Sequence, residues 1–74
     1  MDMTPNFKTE FAQILDMDKK DVLGDVMLDE SIWDSLAVVG TAALIDEEYS
    51  KIVDGEKLTN CKSINELMDL IEAS

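Results

Sequence analysis

Apolar residues return at helical intervals in three stretches of the chain, and between the first and second of these the pattern lapses. Phe7, Phe11, Ile14 and Leu15 follow Thr4-Pro5, an N-cap residue and a proline suited to the first helical position, and this predicts a helix over Pro5–Leu15. Residues 16–34 sustain no helical period. Val22, Leu23, Val26, Leu28 and Ile32 stand there as isolated apolar anchors among acids and Gly24, so the segment reads as a long ordered loop with one helical turn near residues 19–23. In a small domain such a loop is expected to be functional, or pinned by its own side chains.

A second helix is predicted over Ser35–Tyr49, where Val38, Ala42, Ile45 and Tyr49 fall on one face and form the expected core side. Leu36, Val39 and Ala43 make another apolar stripe nearly opposite, joined by Gly40 and Glu47. So small a domain cannot easily bury both faces, which leaves two readings of the second stripe: a docking surface, or a face covered by the long loop. Asp54-Gly55 then turns into a short helix near residues 56–60. Ser63-Ile64-Asn65-Glu66 fits a capping box and opens a last helix with Ile64, Leu67, Met68 and Ile71 on one face. The prediction is an all-α, small four-helix bundle, three main helices and one short one, with a long loop between the first and second. No period-two strand pattern and no internal repeat is present.

Seventy-four residues allow a single domain, 1–74, that buries only about 60% of its unfolded surface. Hydrophobic residues make up 46% of the chain, too many for a disordered segment, while 17 acidic and 6 basic side chains leave a net charge of −11. All the basic residues are scattered lysines, so nucleic-acid binding through a basic patch is not expected. The acidic field instead steers the chain toward partners with basic surfaces. No apolar run approaches the length of a membrane span. Cys61 has no second cysteine to pair with, and Met1-Asp2-Met3 lacks the basic start and apolar run of a signal peptide, so the expected setting is reducing and cytoplasmic.

Self-contained catalysis is not expected, because without histidine neither Ser35 nor Cys61 has an evident activating base. Cys61, followed by Lys62, reads either as a slightly activated thiol or, preferably, as a small half-buried residue before a helix cap. Residues 16–27 partly follow a calcium loop but carry Lys20 at a ligand position, Asp21 in place of the turn glycine and Met27 in place of the bidentate glutamate; no metal site is indicated. Ser35 is the residue with clear chemical potential. Asp34 before it is a preferred N-cap, and a phosphate on a serine in the first helical turn is favoured by unpaired backbone N–H groups and the helix dipole.

The length, the acidic balance, the order of helix, long loop, helix, short helix and helix, and Asp34-Ser35-Leu36 at the loop-to-helix junction together resemble an acyl carrier protein over essentially the whole chain. The resemblance implies that Ser35 receives 4′-phosphopantetheine from coenzyme A through a phosphopantetheinyl transferase, and that the arm's thiol carries an acyl group as a thioester. It implies a monomer that is no enzyme itself and docks acyl-loading and acyl-using enzymes with basic surfaces. Asp34, Glu47 and Glu48 are then the leading charged contacts, and Leu36 and Val39 the apolar ones. The chain departs from the usual fatty-acid-synthesis pattern at Ala37 and Gly40, where acidic residues are common, and with Trp33 and the stretch from Leu44 to Tyr49 it looks more like discrete carriers of specialised pathways. Gly40 also lowers helix propensity, so a compensating close approach is expected there. An acidic helical protein-binding module that never receives the arm shares the same composition. An aminoacyl or peptidyl carrier fits less well, because Ile32-Trp33-Asp34-Ser35 lacks the usual approach to the serine.

Overall fold

The computed structural model describes residues 3–74, so the Met1-Asp2 start, read above for a signal peptide, lies outside the described residues. Among the described residues four helices form: α1 (Pro5–Leu15), α2 (Ser35–Tyr49), α3 (Gly55–Thr59) and α4 (Ile64–Ala73), with one 3-10 turn at Lys19–Asp21 in the long loop. Their starts lie where polar side chains satisfy orphan amides. Thr4 Oγ1 accepts from the Phe7 N–H at 3.1 Å, Asp54 Oδ1 from Glu56 at 2.8 Å, and Ser63 Oγ from Glu66 at 3.2 Å. α1 and α2 each end on a left-handed residue that is not glycine, Asp16 (φ 56°) and Ser50 (φ 55°). None of the helices is long and apolar enough to cross a membrane, among the described residues.

Phe7 and Phe11 of α1, Ile45 of α2, Leu58 of α3 and Ile64, Leu67 and Ile71 of α4 are all fully buried and define the core. Each such side chain contributes roughly 1.5–3 kcal/mol of burial. The Phe7 ring lies 5.4 Å from that of Phe11 and 5.2 Å from that of Tyr49, tying α1 to the end of α2.

α2 buries the expected face in part: Val38 and Ile45 are buried as expected, and the enclosed arc extends to Ala37, Thr41 and Leu44, while Ala42 and Tyr49 are only partly buried. The helix packs against both α1 and α3 and is apolar nearly all round, so its residue period does not single out one buried side. Thr41 is fully buried and its hydroxyl has no hydrogen-bond partner.

The long loop is pinned by side chains and by backbone. Val22 and Leu28 are buried and Val26 and Ile32 partly so, but Leu23, expected as an anchor, is 53% exposed. Met27 forms an isolated antiparallel bridge with Ser63. Beside it the Leu28 N–H donates to the Lys62 carbonyl at 2.8 Å, Ile64 to Val26 at 3.0 Å and Asn65 to Gly24 at 2.8 Å. A single bridge has no sequence period, which is why the strand reading of the sequence does not contain it. The stitching brings the loop against the start of α4 and leaves the outer stripe of α2 open: Leu36 is 80% and Val39 66% exposed. The loop therefore does not cover that stripe.

Candidate functional site

Ser35 owes its position to a chain of local bonds that begins six residues earlier. Asp29 closes a tight turn, its Oδ1 accepting the Ser31 N–H at 2.9 Å and also the Ser31 hydroxyl, while its carbonyl accepts from Ile32 at 3.1 Å and Trp33 at 2.8 Å. These bonds hold the Asp29 carboxyl below its ordinary pKa, the Ser31 hydroxyl first and the Ser31 N–H second. Trp33 then turns inward. Its ring meets Phe11 edge-on with centroids 6.2 Å apart, and its indole N–H donates to the Leu58 carbonyl of α3 at 3.1 Å.

With Trp33 seated in the core, the next residues emerge to solvent. Asp34 caps α2, its Oδ1 accepting from Ala37 at 2.8 Å and its carbonyl from Val38 at 3.0 Å. The amides of Ser35 and Leu36 are then the ones that face out of the helix start. Ser35 is the first residue of α2 and is exposed, with exposed Asp34 and Leu36 on either side. A primary hydroxyl is thus offered to solvent on a rigid platform at the positive end of a helix dipole.

The expected contact residues divide. Leu36 and Val39 are exposed on the outer stripe with Ala43, and Glu47 is exposed further along α2. Glu48 is half-buried and its Oε1 accepts from the Asn6 amide, which directs this carboxylate toward α1. Ala37 and Gly40, the two positions where the chain departs from the pattern it resembles, both border a solvent-open recess of about 400 Å³ between α1, the loop and α2. Ile14, Leu15, Ile32 and Leu36 complete its apolar lining, and Asp16, Ser31 and Asp34 are its polar residues. A Cβ on Gly40 would lie 3.6 Å from Ile14 Cδ1, an ordinary contact, so the close approach expected of this glycine is absent.

Cys61 is buried with Sγ 3.5 Å from the Lys57 carbonyl, and burial followed by the Glu66 charge pushes its thiol pKa up. The preferred reading of Cys61 as a small residue before a helix cap fits, with the side chain buried and not half-buried, and desolvation disfavours the thiolate that the activated-thiol alternative needs. No group of three or more His, Cys, Asp or Glu side chains able to hold a metal ion occurs among the described residues.

Two structural signals at the site went beyond the sequence reading. The anchoring of Trp33 was signalled by a large aromatic in an acidic loop, and the recess by a glycine in mid-helix, but neither residue's partners are visible along the chain. No protein-family model matches this chain, and a comparison with curated proteins finds no match.

Proposed function

We propose that this chain is an acyl carrier protein, modified on Ser35 with 4′-phosphopantetheine and serving enzymes of a specialised biosynthetic pathway in the cytoplasm. The observation that carries the reading is the exposed Ser35 hydroxyl at the first position of α2, held there by the buried Trp33 two residues earlier. The residues fit the group: the outward amides of Ser35 and Leu36 and the helix dipole favour a phosphodiester, and the exposed position leaves room for a long arm. When bound, that group supplies a terminal thiol on which an acyl chain is held as a thioester.

In the modification a bond forms between Ser35 Oγ and the phosphorus of coenzyme A that bears the pantetheine. The pyrophosphate P–O bond breaks, adenosine 3′,5′-bisphosphate leaves, and the hydroxyl proton passes to a base of the transferase. Ser35 needs no activating partner on its own chain. Asp34, Leu36, Val39 and Glu47 surround or extend from the serine and serve the docking of basic-faced enzymes. Glu48, engaged with Asn6, contributes mainly to the packing of α2 on α1.

The test is the intact mass of the wild type and of Ser35→Ala after incubation with coenzyme A, magnesium and a broad-specificity phosphopantetheinyl transferase. A gain of one phosphopantetheine in the wild type alone is expected. No gain in a folded sample, with a control carrier modified alongside, overturns the reading and leaves the unmodified acidic binding module.

A further inference from the structure

Gly40 stands in the middle of α2, where glycine weakens a helix relative to alanine. Neither of the usual backbone reasons for keeping it applies. Its φ is not positive, and a Cβ would meet Ile14 at 3.6 Å without crowding. Gly24 shows the contrast, since a Cβ there would lie 2.2 Å from Asn65 Oδ1. What the absent side chain of Gly40 does is keep open the recess of about 400 Å³ that Ile14, Ile32, Leu36 and Ala37 line with it.

Resting on the reading of Ser35 as the modified residue, we propose that this recess receives an apolar side chain of the transferase that works on Ser35, inserted from a surface whose flanking residues are basic. Asp34 and Leu36 flank Ser35 in the chain and also border the recess, so an enzyme that reaches Ser35 Oγ covers its mouth. The recess is open and mainly apolar, with Ser31 and the carboxylates of Asp16 and Asp34 as its polar residues, on a chain of net charge −11. An apolar knob ringed by lysine or arginine complements that arrangement in both shape and charge. Leu36, 80% exposed, and Val39 continue the apolar surface outward from the recess along α2, as the contact around such a knob requires.

The experiment is steady-state phosphopantetheinylation of the full chain and of Gly40→Leu and Gly40→Ala, with melting temperatures measured in parallel. Gly40→Leu fills the recess and is expected to raise KM about tenfold or more with kcat within about twofold, the size of effect that one displaced apolar group produces in a fitted pocket. Gly40→Ala is expected to raise both KM, by about two- to threefold, and the melting temperature, since it fills part of the recess while strengthening the helix. A more stable yet poorer substrate cannot be ascribed to misfolding, and this variant decides the matter if Gly40→Leu fails to fold. Folded variants modified at the wild-type kcat/KM overturn the inference while leaving the carrier reading intact. A wild type that is never modified, beside a control carrier that is, overturns both. Methyl resonances of Ile14 and Ile32 should shift on adding the transferase; a shift on attachment of the arm with no enzyme present would make the arm the occupant and overturn the proposal.

Discussion

The indole N–H of Trp33 donates to the carbonyl of Leu58 at 3.1 Å, so the residue two places before Ser35 is fastened to α3, on a segment 25 residues away. This carbonyl also accepts the Cys61 N–H at 3.2 Å. Trp33→Phe keeps a ring against Phe11 but removes both the donor and part of the buried ring system, leaving a small cavity. Cys61 still satisfies the carbonyl, so the expected loss is about 2 kcal/mol, or roughly 8–16 °C in melting temperature for a domain of this size. Thermal unfolding followed by circular dichroism checks it; an unchanged midpoint would show that neither the bond nor the lost ring atoms anchor Trp33.

Thr41 presents the opposite case, a fully buried hydroxyl with no partner. Thr41→Val replaces that hydroxyl with a methyl group of similar shape and removes an uncompensated desolvation cost. The urea midpoint is expected to rise, with a gain of about 1 kcal/mol and an unchanged m-value. A lower midpoint would mean that the hydroxyl has a bonding partner in solution.

Much of the architecture is legible in the sequence because helix starts are written in side-chain chemistry. Thr4-Pro5, Asp34 and Ser63 mark the beginnings of α1, α2 and α4 by the same oxygen atoms that accept the first-turn amides. The buried side of α2 is less legible: Thr41 reads as polar and Ala42 as apolar, yet Thr41 is the one fully enclosed between neighbours. The recess is legible only through its mid-helix glycine, since its lining exists only where Ile14, Ile32 and Gly40 come together from three separate segments.

The outer stripe of α2 offers a separation of stability from function. Leu36 and Val39 are 80% and 66% exposed, so Leu36→Ala and Val39→Ala are expected to change unfolding free energy by less than about 0.5 kcal/mol. Under the carrier reading, kcat/KM for modification of Ser35 falls several-fold in Leu36→Ala. Equal rates in variant and wild type would remove Leu36 from the docking surface.

Asp29 supplies a pH-dependent element. Hydrogen bonds from the Ser31 hydroxyl and N–H hold its folded-state pKa below the unfolded value, so its contribution is complete above the ordinary aspartate range and is lost as the pH falls through that range to the lowered value. A carboxyl-carbon NMR titration is expected to give Asp29 a depressed midpoint, and Ser31→Ala to raise it. Identical midpoints in the two proteins would show that the hydroxyl does not stabilise the carboxylate.

The bridge between Met27 and Ser63 has a bearing on the order of events in the cell. During synthesis the ribosome releases the loop and α2 well before residues 62–65, whose backbone groups hold the loop at Gly24, Val26 and Leu28. The turn that presents Ser35 is locally formed, but the loop behind it stays unstitched until the start of α4 has left the exit tunnel. The finished backing of the Ser35 turn therefore waits on the start of α4, a segment made well after the serine itself.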